Sequence, residues 1–243
     1  MAKPDPGLGE NRILAALPRA DYARLSPHLQ RVEIVTGAIL QEEAERQDHV
    51  FFPESGILSL VSSLETGEQI EVAAIGNEGM VGVSVFLGVP AAPIQVVSQV
   101  PGTALRLTAA RLHEETQRGG ALYDRLGRYV HALLISMGQS IACNRFHDLD
   151  ARCARWLLTA HDRVGDDDFV LTHHFLAMML GVRRAGVSTV AGRLMKAGVI
   201  SYSQGHVSVK NRTALEAASC ECYAVVREQL EIVFRELPLA RVR

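Results

Sequence analysis

The sequence predicts an α+β fold in which an N-terminal antiparallel β-roll precedes a long helix and a C-terminal winged helix-turn-helix. Short apolar runs separated by turn residues fill residues 31–107, and an apolar pattern with helical spacing and no proline follows Gly120. Two short helical patterns then meet at Gly181 and precede two strand-like runs. We expect the roll within residues 1–118, the long helix within 119–146 and the winged helix-turn-helix, with a C-terminal helix, within 147–243.

Composition is ordinary for a globular chain of 243 residues, with 48% hydrophobic and 21% charged residues. No apolar run reaches the roughly 18 residues of a membrane span, and the first residues lack the apolar stretch of a secretory signal. Four cysteines are too few for a secreted disulfide framework. These observations predict a cytoplasmic protein with no membrane partner.

Charge is distributed unevenly between the two parts of the chain. Residues 1–150 hold 12 basic and 18 acidic residues, whereas residues 151–243 hold 13 basic and 9 acidic ones. Residues 172–215 contain six Lys and Arg and no Asp or Glu. A basic segment of this kind is typical either of a solvated surface or of a surface that binds a polyanion.

The N-terminal elements follow from proline positions and alternation. Apolar residues between 11 and 30 are interrupted by Pro18 and Pro27, which favours short helices. About eight short strands are then expected, and Gly67 marks a hairpin turn because glycine tolerates a positive φ. Regular spacing of such strands predicts an antiparallel roll.

The long helix after Gly120 carries an apolar stripe with steps of three and four residues. Its period suits either packing on the roll or a seam with a second copy of the chain, and Gly127 and Gly138 permit close approach of helices. Dimerisation is the favoured interpretation, and Leu133→Asp is then expected to yield monomers. The predicted dimer interface consists of Leu122, Leu126, Tyr129, Val130, Leu133, Met137 and Ile141.

A second helix is expected over residues 148–163, ending at an acidic turn.

The segment from Thr172 to Leu194 predicts a helix-turn-helix. Thr172 is a candidate N-cap, the first helix ends at Gly181, and a second amphipathic helix follows. The next run, around Gly205, predicts a two-stranded wing. A helix of this kind fits the DNA major groove, with polar side chains on base edges and cations on phosphates; a core hairpin without a ligand is the alternative. Gly186 indicates either a close backbone approach or a loose helix start. The candidate DNA-contacting residues are His174, Arg183, Arg184, Ala185, Gly186, Ser188, Thr189, Arg193, His206 and Lys210.

This order of a roll, a long helix and a winged helix-turn-helix resembles the CRP/FNR superfamily of bacterial transcription regulators over residues 11–230. The resemblance implies a roll of the cyclic-nucleotide-binding type and a homodimer on a pseudo-palindromic operator, with RNA polymerase as a further partner. It also implies that His174 contacts phosphate and that Arg184, Ala185 and Thr189 read bases. The family often has Arg, Glu and Arg at those reading positions, so its best-known operator does not transfer to this chain.

The resemblance also locates a candidate effector pocket. Family members that bind cyclic AMP hold the ribose with a Gly-Glu-Leu-Gly turn and the phosphate with an Arg-Ser pair. The matching turn here is Gly79, Met80, Val81 and Gly82, and the matching strand approach, including Pro93 and Ile94, has no arginine. An anionic phosphate without a cation is costly to bury. We therefore expect an unknown effector other than cyclic AMP, unless Arg106 supplies the cation.

Other ligands and functions find less support. No cysteine precedes residue 143, which argues against a family-type iron-sulfur cluster. Cys220 and Cys222 are expected within a helix, where they would diverge, so the four cysteines are interpreted as structural thiols and no metal or cofactor is predicted. His173, His174 and residues 166–168 lack the spacing of a zinc or hydrolytic enzyme. A non-enzymatic regulator is the leading interpretation; a sensor or scaffold that has lost specific DNA binding is the alternative.

Overall fold

The computed structural model describes residues 11–235, so the outermost residues of the predicted first and third domains lie outside the described part. The N-terminal part contains helices α1 (Arg12–Ala15), α2 (Arg19–Leu25), α3 (Val83–Phe86) and α4 (Ala109–Gln117). Its strands are β1 (Gln30–Ile34), β2 (Ile39–Gln41), β3 (His49–Pro53), β4 (Ile57–Ser63), β5 (Gln69–Ile75), β6 (Gln95–Val100) and β7 (Gly102–Thr108). The C-terminal part contains α5 (Ala121–Phe146), α6 (Leu149–Val164), β8 (Asp168–Val170), α7 (His173–Leu180), α8 (Arg184–Lys196), β9 (Ile200–Ser203), β10 (His206–Val209), α9 (Arg212–Ala218) and α10 (Cys222–Ile232).

The predicted α+β class and the antiparallel roll are confirmed. Two sheets with strand orders β1-β7-β3 and β2-β6-β4-β5 form the roll, and every strand pair in them is antiparallel. The predicted hairpin turn joins β4 to β5, with Gly67 at a φ of 89°. Seven strands, rather than about eight, form the roll within residues 11–235.

Helix α5 has three faces with different surroundings. Most of the predicted dimer interface lies on the face that packs inside the protomer, so that prediction is corrected here. Four residues of the predicted stripe are buried inside the protomer, where they pack against the roll: Leu122, Leu126, Tyr129 and Leu133. Val130 and Met137 are half-buried, and of the predicted stripe only Ile141 is exposed. The prediction was wrong here because an apolar period does not reveal whether the roll or a second chain covers it. Leu133→Asp would therefore disrupt the roll rather than release monomers.

A second face of α5 holds α10, which runs antiparallel to it. The Arg125 side chain donates a hydrogen bond to the Val233 carbonyl near the start of α5, whereas Gln139 Nε2 lies 3.2 Å from Cys222 Sγ near its end. The third face is open to solvent and consists of Gly127, His131, Leu134, Gly138, Ile141 and Arg145. We call these six residues the α5 seam.

The helices and strands after α5 form the predicted winged helix-turn-helix. Helix α6 begins at Leu149, after Asp148, whose side chain accepts a hydrogen bond from the Ala151 amide at 2.9 Å. It ends at Val164, and the capping residue Gly165 has a φ of 71°. Strands β8, β10 and β9 form a small antiparallel sheet in that order. Apolar residues of α6, α7 and α8 pack with residues of β4 and β6 in one core, so the helix-turn-helix is packed directly on the roll.

A buried ion pair connects α6 to the loop after β5. Arg163 Nη2 lies 2.8 Å from Glu78 Oε1, and their side chains are only 8% and 6% exposed. Arg163 also donates a hydrogen bond to the Ala74 carbonyl at 3.1 Å, while Glu78 accepts one from the Gly76 amide at 3.1 Å. The pair is therefore fully enclosed by further hydrogen bonds, as a buried ion pair requires.

No helix in the described part of the chain combines the length and hydrophobicity that crossing a bilayer requires.

Removing one member of the buried pair should be costly. Arg163→Met leaves the Glu78 carboxylate buried without its cation, and we expect a loss of about 3–5 kcal/mol in the free energy of unfolding. The double variant Arg163→Met with Glu78→Gln should recover part of that loss. Urea unfolding followed by circular dichroism measures it. Arg118→Met is the matched control, since the Arg118 side chain is 60% exposed and its surface pair should contribute at most about 1 kcal/mol. Equal losses for Arg163→Met and Arg118→Met would contradict the assignment.

Candidate nucleic-acid interface and effector cavity

The turn between α7 and α8 forms as the sequence predicts. Thr172 Oγ1 accepts a hydrogen bond from the Phe175 amide at 3.1 Å, which caps the start of α7. Gly181 ends α7 in the left-handed conformation with a φ of 62°, and its position against Ile70 leaves little room for a side chain. Helix α8 begins at Arg184, immediately after Arg183.

The exposed surface of this unit carries nearly all of the predicted DNA-contacting residues. Gly186 is half-buried, and the others are exposed: His174, Arg183, Arg184, Ala185, Ser188, Thr189, Arg193, His206 and Lys210. The buried face of α8 consists of Val187, Val190, Ala191 and Leu194. The amphipathic pattern of the sequence is therefore realised with the polar side facing solvent.

Two of these residues have intramolecular partners that sequence reasoning missed. The Arg193 guanidinium holds the Asp150 carboxylate at the start of α6, with Nε and Oδ1 2.7 Å apart. A Cβ on Gly186 would lie 3.0 Å from Leu149 Cδ2, which identifies Gly186 as a site of close helix approach rather than a loose helix start. Both residues contact the start of α6, and these contacts position the exposed face of α8. The partners are more than 30 residues away, so no local pattern indicates them.

The hydroxyl groups of α8 are partly used within the helix. Ser188 Oγ donates a hydrogen bond to the Arg184 carbonyl at 3.1 Å, and Thr189 Oγ1 donates one to the Ala185 carbonyl at 3.0 Å. Each hydroxyl keeps acceptor capacity. In this conformation Arg184 is the long donor at the start of α8, flanked by the small side chain of Ala185.

His173 connects α7 with α8 and with the wing, a role that the sequence did not indicate. Its ring stacks on Tyr202 with centroids 4.2 Å apart, and Nδ1 lies 2.9 Å from Ser188 Oγ. Burial, followed by the nearby charge of Arg184, lowers the pKa of His173 below its usual value. A histidine with a lowered pKa is neutral at pH 7 and keeps one N–H. Because the Ser188 hydroxyl donates its proton to the Arg184 carbonyl, the Nδ1–H of His173 can donate to Ser188 Oγ.

The wing is the hairpin of β9 and β10. Gln204 and Gly205 have φ values of 49° and 82°, as a tight hairpin turn requires. His206 lies next to this tip, whereas Lys210 lies at the opposite end of the hairpin, where its amide donates to the Val199 carbonyl at 2.9 Å. The lysine is therefore at the base of the wing, close to the end of α8.

Positive charge remains available on this surface after ion pairing. Arg212 pairs with Asp162 at 2.7 Å and with Glu216 at 3.0 Å, and Arg193 pairs with Asp150. The remaining basic residues of the carboxylate-free segment are exposed: Arg183, Arg184, Lys196 and Lys210. A surface of this kind can meet a polyanion with little electrostatic opposition nearby.

A cavity of about 200 Å³ lies between the roll and α5, and we call it the roll cavity. Its lining consists of Gln41, Leu60, Ile75, Met80, Val81, Gly82, Val83, Ser84, Leu87, Ala92, Ile94, Val96, Val130, Leu133, Leu134 and Met137. None of these described lining residues is charged. Gln41 donates a hydrogen bond to the Ile94 carbonyl at 3.0 Å, while the buried Ser84 hydroxyl has no hydrogen-bond partner within residues 11–235.

The structure places the predicted pocket residues in three different settings. Met80, Val81, Gly82 and Ile94 line the roll cavity, and Pro93 is exposed beside it. Gly79 packs against the Tyr129 ring, where a Cβ would lie 2.4 Å from the phenol oxygen.

Arg106 does not supply the missing cation. Its guanidinium hydrogen-bonds Gln30 across the β1-β7 pair, while its strand neighbours Leu105 and Leu107 point into the core. Side chains alternate across a strand, so Arg106 lies on the outer face of its sheet. The suggestion that it completes an anion site in the roll is therefore wrong.

The histidines and the acidic turn that were examined as a possible zinc or hydrolytic site are not brought together in one contact. His161 Nε2 lies 2.7 Å from Asp167 Oδ1, whereas His173 is held by Ser188 and Tyr202. The acidic turn and His173 thus have different partners.

Comparison with known proteins identifies both parts of the chain. A family model for the cyclic nucleotide-binding domain matches residues 31–118, and a family model for the Crp-like helix-turn-helix domain matches residues 151–218. No curated protein sequence matches the chain significantly.

Solved structures share the fold at low sequence identity. A transcriptional regulator of the CRP/FNR family from Eubacterium rectale is 15% identical with a TM-score of 0.65, covering 86% of this chain and 98% of its own. FixK2 from Bradyrhizobium japonicum is 14% identical with a TM-score of 0.69, covering 79% and 98%. The c-di-GMP-responsive global regulator CLP from Xanthomonas campestris is 14% identical with a TM-score of 0.62, covering 79% and 99%.

Proposed function

Because this chain belongs to the CRP/FNR family of DNA-binding transcription regulators, by its two domains and its fold, we propose that it acts as a homodimer that reads a pseudo-palindromic operator with α8. The observation that carries the proposal is the exposed surface of α7, α8 and the wing, a basic segment that contains no Asp or Glu of its own. In this proposal the protein is a non-enzymatic regulator in the cytoplasm, where its DNA partner is found, and it acts with RNA polymerase.

The base-reading role is assigned to the start of α8. Arg184 can reach a guanine edge with two donors, and the short side chains of Ala185 and Thr189 leave room for close approach to the neighbouring bases. His174 and Arg183 flank that position and suit phosphate contacts. Arg193 and Gly186 support α8 from behind, through Asp150 and Leu149.

Arg184→Ala should abolish most of the sequence preference, because a good bidentate pairing with guanine contributes about 1–3 kcal/mol of discrimination. Lys210→Ala should weaken binding evenly on all sequences and reduce the slope of log affinity against log salt by about one, because a phosphate contact does not depend on sequence. Fluorescence anisotropy on a selected operator and on a scrambled duplex measures both effects. Equal losses on the two duplexes for Arg184→Ala would contradict the reading role.

The dimer is assigned to the α5 seam. Its members are separated alternately by four and three residues, which is the spacing of a coiled-coil stripe. Leu134 and Ile141 are 62% and 71% exposed, and open space lies above Gly127 and Gly138. Pairing two seams buries these side chains and lets the helix backbones approach at the glycines. A two-fold dimer then places two α8 helices about 34 Å apart, one turn of DNA.

Leu134→Asp should convert the dimer to a monomer, because it places two carboxylates against each other across the seam. Leu64→Asp is the matched control, since Leu64 is 63% exposed on the hairpin between β4 and β5. Sedimentation velocity measures the molecular mass, and circular dichroism checks that both variants remain folded. A folded Leu134→Asp variant that is still dimeric would exclude the seam as the interface.

The effector is assigned to the roll cavity. An uncharged apolar lining favours a small, mainly apolar molecule, and the unpartnered Ser84 hydroxyl offers it one hydrogen bond. An anionic cyclic nucleotide would be buried there without a cation. Leu134 lines the cavity and also belongs to the seam, so an occupant would lie next to the dimer contact.

Cyclic AMP and cyclic GMP at millimolar concentration should change neither the melting temperature nor the affinity for DNA. A ligand present at a hundredfold excess over its Kd adds about 2.7 kcal/mol to the stability of a folded protein, so binding would be readily detected. Differential scanning fluorimetry with each nucleotide tests this expectation. A saturable rise in melting temperature that Ser84→Val removes would show that the cavity is a nucleotide site.

A further inference from the structure

Three cysteines and a histidine converge where the end of α5 meets the turn between α9 and α10. The atoms with which Cys143, His147, Cys220 and Cys222 could bind a metal ion all lie within 4.8 Å of one another. The three thiols are free and buried. None of the four residues lies within either matched family domain, since those end at residue 118, begin at 151 and end at 218.

The break between α9 and α10 brings the ligand atoms together. His147 is the C-cap residue immediately after α5, and its amide donates a hydrogen bond to the Cys143 carbonyl at 3.1 Å, which keeps the two residues close together. Helix α9 ends at Ala218 and α10 begins at Cys222, so Cys220 lies in a turn. The expectation that Cys220 and Cys222 diverge within one helix was wrong for this reason.

The spacing of the ligand atoms fits a tetrahedral ion. Cys143 Sγ lies 3.6 Å from Cys220 Sγ, and Cys222 Sγ lies 3.5 Å from His147 Nδ1. Bonds of about 2.3 Å to sulfur and about 2.0 Å to nitrogen place tetrahedral ligands roughly 3.5–3.8 Å apart. Both observed distances agree with this geometry, whereas a disulfide requires sulfur atoms about 2.05 Å apart.

The surroundings complete a metal site rather than a simple group of thiols. His147 Nε2, the nitrogen facing away from the thiols, lies 3.2 Å from Glu221 Oε2, an arrangement that orients a ligating histidine. Gln139 Nε2 lies 3.2 Å from Cys222 Sγ and can donate to a thiolate.

We propose that Cys143, His147, Cys220 and Cys222 bind one structural Zn²⁺ ion. Three thiolates and one imidazole are a ligand set that zinc prefers, and four protein ligands leave no open position for catalysis. Binding exchanges the three thiol protons for the metal ion, and no redox step is involved. The ion fastens the start of α10 to the end of the helix that carries the α5 seam, and it thereby joins the C-terminal unit to the dimer helix.

Metal content and cobalt spectroscopy test the proposal on the full chain under reducing conditions. After growth with added zinc, mass spectrometry of the purified protein should find one zinc ion per chain. Adding CoCl₂ to protein stripped of metal should produce the visible absorption bands of tetrahedral thiolate-bound Co²⁺, which ZnCl₂ should then remove. Cys222→Ala and Cys143→Ala should lose both signals. Cys153→Ala is the matched control, because Cys153 is a buried cysteine of α6 outside the cluster, and it should keep both.

A surface variant keeps the test decisive if the cysteine variants fail to fold. Glu221 is 73% exposed at its side chain, so Glu221→Gln should fold while weakening zinc affinity by about 10- to 100-fold in competition with a chelator. Wild-type protein with neither zinc nor a cobalt spectrum would overturn the proposal. So would a Cys143–Cys220 disulfide in freshly prepared protein, or zinc affinity that Glu221→Gln leaves unchanged. Because these measurements involve no DNA, the outcome is independent of the proposed regulatory function.

Discussion

The arrangement of the molecule depends on the loop of residues 76–82, where the segment before α1, α5 and α6 all make contact with the roll. Asn11, before α1, donates a hydrogen bond to the Gly79 carbonyl at 2.9 Å, and Tyr129 of α5 packs against the same glycine. Arg163 of α6 pairs with Glu78 in this loop. The last residues of the loop, Met80, Val81 and Gly82, line the roll cavity. Close packing and a buried ion pair resist independent movement, so a shift of this loop on one side must be accommodated by α5 or α6 on the other.

Helix α5 shows how one periodic sequence can serve three partners. The roll covers the face that contains Leu126 and Leu133, α10 covers the face that contains Arg125, and the α5 seam remains exposed. Apolar residues occur on the buried and the exposed faces alike. Periodicity therefore predicts the helix and its length, but the choice of partner for each face depends on strands that are distant in sequence.

The fold and the exposed polar surface of α7 and α8 could be predicted because their signals are local. Thr172 and Gly181 mark the ends of α7 by capping chemistry, and alternation with turn residues marks the strands. The contacts that seat α8 could not be predicted in this way, because Arg193 meets Asp150 across 43 residues. Nor could the break before Cys222, which contains neither glycine nor proline. Contacts between parts of the chain that are distant in sequence determine both features.

In the roll, the glycines that shape the turn have a different role from the residues that would recognise a ligand. Gly79 and Gly82 have structural reasons to be glycine: a side chain on Gly79 would collide with Tyr129, and Gly82 adopts a φ of 100° against Val50. The neighbouring Met80 is completely buried and lines an uncharged cavity. The glycines of this turn thus have structural roles that do not depend on a nucleotide, whereas recognition of a phosphate would require a cation facing the cavity. A fold can keep its turns while the chemistry of its pocket changes, so what a roll can bind must be inferred from its lining residues rather than from the family to which the domain belongs.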